Sequence, residues 1–348
     1  MKPIYIHSGM TGAPQYANAN GNIPGILEVC LVNGFNSKTA TSASASGGVL
    51  TLNFASDPGF EALQTVEVAV SSVAAVNGVH RVIANSSNQV TIAIAGLADG
   101  TVGSSGAGIT IKQAGAGWSK PFSSSTVSVF RPPAGSRRYL RCAHTAGANM
   151  SARGYGEMTD IDTGTDPFPT AAQVASPVAI YNNTNVLASG SYWMMCATDK
   201  WFIFSIGSTS AFAGGVFFGD PAGQTVPADA YASLIYLQNG WYGMRNHAGA
   251  AGAITISARV SDGSSATWPS VIADGAKFLP YVPVVEATGN VLRSVLPNIY
   301  KMYPSQPANQ LTTLHSNVVG VTGRMKPFCF TNGQPLDIAI AIDEEVWG

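Results

Sequence analysis

The dominant pattern along the chain is alternation with a period of two, in short runs separated by turn residues. In QVTIAIA (89–95), Val90, Ile92 and Ile94 alternate with small or polar neighbours, as a strand with one buried face requires. VLTLNF (49–54), TVEVAVS (65–71), GVHRVIAN (78–85) and GITIKQ (108–113) are similar Val/Ile/Thr-rich runs, each bounded by Gly, Ser, Asn or Asp. Short strands at this spacing predict a small β-sandwich or barrel over 37–113. Beyond it, YLRCAH, PVAIYN, SYWMMCAT, KWFIFSIG, GGVFFGD, YASLIYLQ, AITISARV and LDIAIAID predict further strands in a larger, more aromatic region, 114–348. The residues TAAQVAS (170–176) suit one helical turn. Pro280, Pro283, Pro297 and Pro304 exclude long regular elements late in the chain.

One segment has helical rather than strand spacing. Ile23, Ile26, Leu27, Cys30 and Leu31 fall on one side of a helix. Asn22 is placed to cap it, Pro24 sits in the first turn where its missing N–H does no harm, and Gly34 ends it. The predicted class is therefore mainly β with a short N-terminal helix. Three regions are predicted: an arm and helix (1–36) packing on the main domain, a small β-domain (37–113) inserted in or preceding the rest, and a larger β-sandwich-like domain (114–348) with a C-terminal tail.

Composition changes this picture in one respect. Only 11% of the 348 residues are Asp, Glu, Lys or Arg, while 46% are hydrophobic. Ordinary proteins carry about 25% charged residues. Surface must therefore be covered by Ser, Thr, Asn, Gly and Ala. Charge depletion is a property of protein–protein contact areas, and it points to a subunit that packs against copies of itself and neighbours; a neutral secreted β-protein would share this composition. The net charge is −1 with no basic run, which argues against nucleic-acid binding. The one basic knot, Arg137, Arg138 and Arg141, reads as a strand edge or subunit contact. No apolar stretch of about 18 residues predicts a membrane-spanning helix. MKPIYIHSG does not have the form of a signal peptide. Cys30, Cys142, Cys196 and Cys329 lie in apolar settings without metal-ligand spacing, so they read as small buried hydrophobes made in a reducing cytosol, with one disulfide left open.

Candidate chemistry is sparse. Asp160, Asp162 and Asp166, in TDIDTGTD, are spaced so that they would suit a Ca²⁺ ion, but Ala171 stands where a closing Glu would be needed. The same residues also make self-bonded Asx turns, the simpler reading. His7, His80, His144, His247 and His315 are scattered, and no G-x-S-x-G is present, so no hydrolase triad is legible. Glu157 with Asp160 or Asp162, near Tyr155, Trp193, Trp201, Trp241 and Tyr242 in type, is the one arrangement that would suit a glycan; Trp193, Trp201 and Phe202 sit in strand-like runs and are expected in the core. No catalytic residue and no cofactor is predicted.

IYIHSGMTGAP (4–14) with ILEVCLVNGFN (26–36), GAGWSKPF (115–122), YGEMTDIDTGTDPFPT (155–170) and VLRSVLPNIYKMYPSQP (291–307) together resemble a family of virion structural proteins of tailed phages and prophages of Gram-negative bacteria. The block 37–113 resembles the immunoglobulin-like modules carried by phage tail and capsid proteins. This resemblance implies a non-enzymatic virion protein assembled in the host cytoplasm, part of a tail, baseplate or neck. The alternatives are a capsid decoration protein, a tail tip that binds a receptor or host-surface glycan, and, less favoured, a glycan depolymerase. On this reading the ends serve as docking arms, with Ile4, Tyr5 and Ile6 at one end and Val346 and Trp347 at the other as interface residues. The partners are copies of the chain and other virion proteins.

Overall fold

The computed structural model describes residues 3–102, 108–146, 149–168, 178–179, 189–207, 212–220 and 234–239, together with strand segments 254–258, 266–268, 278–279, 282–286, 291–296, 299–302, 325–327 and 338–341. The architecture is mainly β, in antiparallel sheets with one short α-helix. The chain forms two compact units. One comprises 1–3, 15–28 and 117–348; the other comprises 4–14 and 29–116.

The smaller unit holds β1 (Ile4–His7), β2 (Phe35–Thr39), β3 (Ser42–Ser46), β4 (Val49–Asn53), β5 (Thr65–Ala69), β6 (Gly78–Asn85), β7 (Gln89–Ala93), β8 (Gly100–Thr101) and β9 (Thr110–Gln113). Strands β2 to β9 are ordered β2-β9-β5-β6-β7-β4-β3-β8. Strand β6 serves two neighbours: its first half pairs with β5 and its second half with β7, with an irregularity between Val82 and Ala84. A register break of this kind bends a strand, so the layers on either side can enclose one core. Leu50, Leu52, Val90 and Ile92 from one side meet Val66, Val68 and Ile111 from the other, all at 1% exposure or less. The period-two reading of 89–95 is thus realised residue by residue. Full burial of one such side chain contributes about 1.5–3 kcal/mol.

Ile4 and Ile6 are fully buried and Tyr5 is nearly so. All four residues of IYIH are buried, so both faces of the strand are covered within the chain. Val346 and Trp347 lie outside the described residues, as do Cys329 and the turn expected at 170–176.

The larger unit opens with the helix α1 (Asn22–Glu28), after which Val29–Asn33 widens into a π-turn. The expected cap is different in fact. The Asn22 Oδ1 accepts from the Ala17 N–H at 3.0 Å. The free N–H groups of the first turn are met by His144: its carbonyl accepts from Gly21 N–H at 2.9 Å, and its Nδ1 faces the Ile23 N–H at 3.4 Å.

The unit's first sheet contains β10 (Ser119–Ser123), β11 (Val127–Arg131), β12 (Tyr139–Ala146), β13 (Asn149–Tyr155) and β16 (Val178–Ala179), adjacent in that order. A hairpin of β14 (Glu157–Met158) and β15 (Gly164–Thr165) stands apart. The second sheet runs β17 (Tyr192–Ala197), β18 (Trp201–Gly207), β19 (Phe212–Gly219) and β20 (Leu234–Asn239), continuing through 254–258, 266–268, 282–286 and 291–296 as a meander. A small sheet joins 278–279, 299–302, 338–341 and 325–327. Every residue of β18 is buried, which is why WFIFSIG reads as a continuous apolar run. One of its faces, Phe202 with Phe218 alongside it in register, meets Trp118 and Phe168. The other carries Trp201 on Phe217. Phe168 in turn bridges to Gly154 on β13, where a Cβ would lie 2.2 Å from the ring. Trp193, Trp201 and Phe202 are all core residues, as the sequence suggested.

Candidate functional site

Two features stand out: a neutral face on the smaller unit and a buried ionic clasp in the larger one.

The face follows from the strand pattern. On β3, β4 and β7 the inward positions are Ala43, Ala45, Leu50, Leu52, Val90 and Ile92. The outward positions are Ser42, Ser44 and Ser46, then Val49, Thr51 and Asn53, then Gln89, Thr91 and Ala93, and not one is charged. Register places them in rows: Ser42, Asn53 and Gln89; Ser44, Thr51 and Thr91; Ser46, Val49 and Ala93. The first row is hydrogen-bonded across the strands. Asn53 donates from Nδ2 to Ser42 Oγ at 2.9 Å, and Gln89 donates from Nε2 to Asn53 Oδ1 at 2.8 Å. Such a surface is uncharged and partly hydrogen-bonded within itself. It lacks the charges that cost most to strip of water.

The clasp is centred on Asp220, the residue after β19, at 3% exposure. Its Oδ2 accepts from the Ser136 N–H at 2.6 Å, and its Oδ1 accepts from the Ser136 hydroxyl. Ser136 lies in the turn between β11 and β12, so the contact joins the unit's two large sheets. Backbone bonds reinforce it: Ala134 N–H donates to the Asp199 carbonyl and Asp220 N–H to the Lys200 carbonyl, each at 3.2 Å. Gly135 fits only because it has no side chain, since a Cβ there would fall on Asp220 Oδ2. Burial pushes the Asp220 carboxyl up to about 6, against the lowering pull of Ser136, Lys200 and Arg138. Ser136 itself is 9% exposed, so the pair offers a substrate little access and serves as a tie. Sequence reading missed it. The only local signal was a lone acid closing the apolar run GGVFFGD.

The predicted residues are placed as follows. Asp160 Oδ1 accepts from the N–H groups of Asp162 and Thr163, both at 2.7 Å, forming an Asx turn at the β14–β15 tip. Those bonds hold its carboxyl below the usual range, the Asp162 N–H first. Asp162 Oδ1 takes the Arg141 Nη2 at 2.7 Å, while Arg141 Nε donates to the Ile161 carbonyl at 2.6 Å. Asp166 occupies a left-handed position packed by Gly156. The three carboxylates are thus engaged in separate local roles, and no group of three or more His, Cys, Asp or Glu among the described residues is gathered as metal ligands. Of the basic knot, Arg141 braces this tip and Arg138 lies beside Asp220. Cys30, Cys142 and Cys196 are buried free thiols, and burial raises both Cys30 and Cys142. No helix among the described residues is long and apolar enough to cross a membrane. Trp241 and Tyr242 lie outside the described residues.

No family model and no curated protein matches the chain. Among solved structures, the chain is similar to a phage phi92 endosialidase, at 10% identity and a TM-score of 0.20. That match covers 72% of this chain and 39% of the other. At so low a score the likeness carries no argument.

Proposed function

We propose that this chain is a non-enzymatic structural subunit of a tailed-phage particle, tail-associated, which works by packing neutral faces against neighbouring subunits. The observation that carries the reading is the outward face of β3, β4 and β7, where all the outward positions are uncharged. A free surface of that size ordinarily mixes charges of both signs for solubility. Here the low charge of the whole chain, 11%, is expressed at one sheet face. A neighbour can cover it without desolvating an ion, and its polar atoms are already partly paired. The sequence resemblance to phage virion proteins supplies the setting, a tail, baseplate or neck.

Two experiments test this. Gold-labelled antibody on intact particles should mark the tail end or neck. Label over the head would instead make the chain a decoration protein, and its absence from particles would reject the virion reading. Placing charge on the face by Ser44→Lys with Thr51→Lys should leave the smaller unit folded, because both positions point outward, yet reduce incorporation into particles at least tenfold. Normal incorporation of that variant would refute the role of the face.

A further inference from the structure

The clasp in the larger unit contains a chemical asymmetry. One oxygen of Asp220 faces a backbone N–H, which can only donate. The other faces the Ser136 hydroxyl, which can either donate or accept. We propose that Ser136 and Asp220 form a proton-tolerant joint between the two large sheets of this unit, one that stays closed whether Asp220 is ionised or neutral.

In the ionised state both oxygens accept, one from Ser136 N–H and one from Ser136 O–H. On protonation, a proton from solvent adds to Oδ1. That oxygen then donates to Ser136 Oγ, whose own hydrogen turns off the axis, while Oδ2 keeps the backbone N–H. Two hydrogen bonds hold the turn in either state. The charged groups facing the carboxyl come from the two elements packed on it. Arg138 belongs to the β11–β12 turn, and Lys200 to the β17–β18 turn, where Asp199 precedes it and bonds Ala134 through its carbonyl. The two cations favour the ionised form and burial favours the neutral one, so the balance falls where both are populated near mildly acidic pH. An ordinary buried ion pair lacks this property, because neutralising one member abandons the other.

The test is a carboxyl ¹³C titration of the full chain labelled at aspartate, with amide hydrogen exchange at Ser136 followed at pH 5 and pH 8. The Asp220 signal should titrate near pH 6, and the Ser136 amide should stay protected at both pH values once the intrinsic exchange rate is removed. Ser136→Ala removes a bond that is stronger to the charged form than to the neutral one, and should move the midpoint upward. Ser136→Thr keeps the hydroxyl and should leave the midpoint where it was. Titration near 4, loss of Ser136 protection at pH 5 alone, or an unmoved midpoint in Ser136→Ala would each overturn the proposal. If Ser136→Ala does not fold, the Ser136→Thr midpoint and the wild-type protection still decide it.

Discussion

Two glycines in the smaller unit allow a matched test of how closely its backbone is fitted. Gly34 ends the π-turn with φ +70°, and its N–H closes that turn on the Val29 carbonyl at 2.7 Å. A Cβ at this position would lie 2.0 Å from the Gln113 carbonyl oxygen. Gln113 is fully buried and stands in register with both Phe35 and Val66, so it cannot retreat without disturbing two strand pairings. Gly47, in the β3–β4 hairpin, has φ +59° and open space where a Cβ would go. Gly47→Ala therefore costs only the left-handed backbone, about 1–2 kcal/mol. Gly34→Ala costs the same plus a forced backbone shift of about 1–3 kcal/mol, roughly 3–4 kcal/mol in all. The smaller unit contains no tryptophan, so urea unfolding is best followed by far-UV circular dichroism or by exchange of β4 and β7 amides. With a slope of about 1 kcal/mol/M for a domain of this size, Gly34→Ala should lower the midpoint by about 3–4 M and Gly47→Ala by about 1–2 M. Equal losses in the two variants would refute the close approach of Gly34 to Gln113.

Other outcomes follow from the larger unit. Trp118→Phe removes the indole N–H bond to the buried Thr198 carbonyl, 2.7 Å long, and should cost about 1–3 kcal/mol in thermal unfolding while leaving the aromatic packing on Phe202. Asp162→Ala loses a pair whose acidic member is 70% exposed, so stability should fall by less than about 1 kcal/mol. Asp160→Ala should loosen the β14–β15 tip, seen as faster exchange of the Asp162 and Thr163 amides. Millimolar Ca²⁺ should leave the wild-type melting temperature unchanged, and a rise abolished by Asp160→Ala would restore the metal reading. The folded carboxyl of Asp220 lies at about 6, above its ordinary 3.8. Its contribution is therefore fully present below about pH 4 and is lost as pH rises through 6, a change of roughly 3 kcal/mol. Asp220→Asn should flatten that stretch of the stability profile, and an unaltered slope would refute the assignment.

What sequence could disclose depended on how far apart the interacting residues are in the chain. Val90, Ile92 and Ile94 declare a strand because burial imposes period two on neighbours, and KWFIFSIG declares a doubly covered strand because both faces are apolar. The helix at 22–28 was legible from Ile23, Ile26 and Leu27. Its cap was not, because Asn22 had a local competitor in the Ala17 N–H and the real partner, His144, lies on β12. The Asp220 clasp was hidden for the same reason, since Ser136 stands 84 residues away. The burial of Ile4, Tyr5 and Ile6 within the chain was hidden for a different reason. Apolar residues near a terminus look alike whether a neighbouring subunit or the chain itself covers them. The neutral face was visible only as a bulk shortage of charge until register gathered its residues on one surface.

The chain enters the larger unit, leaves it at Glu28 and returns at Gly117. The intervening stretch is pinned at its ends, where Ala116 N–H bonds the Cys30 carbonyl. During synthesis residues 29–116 have therefore all emerged before the strands of the larger unit, which begin at Ser119, are made. Domains generally fold as units as they appear. Helix α1 must then wait without its His144 cap until β12 is made, so the order of folding runs from the inserted unit outward to its host.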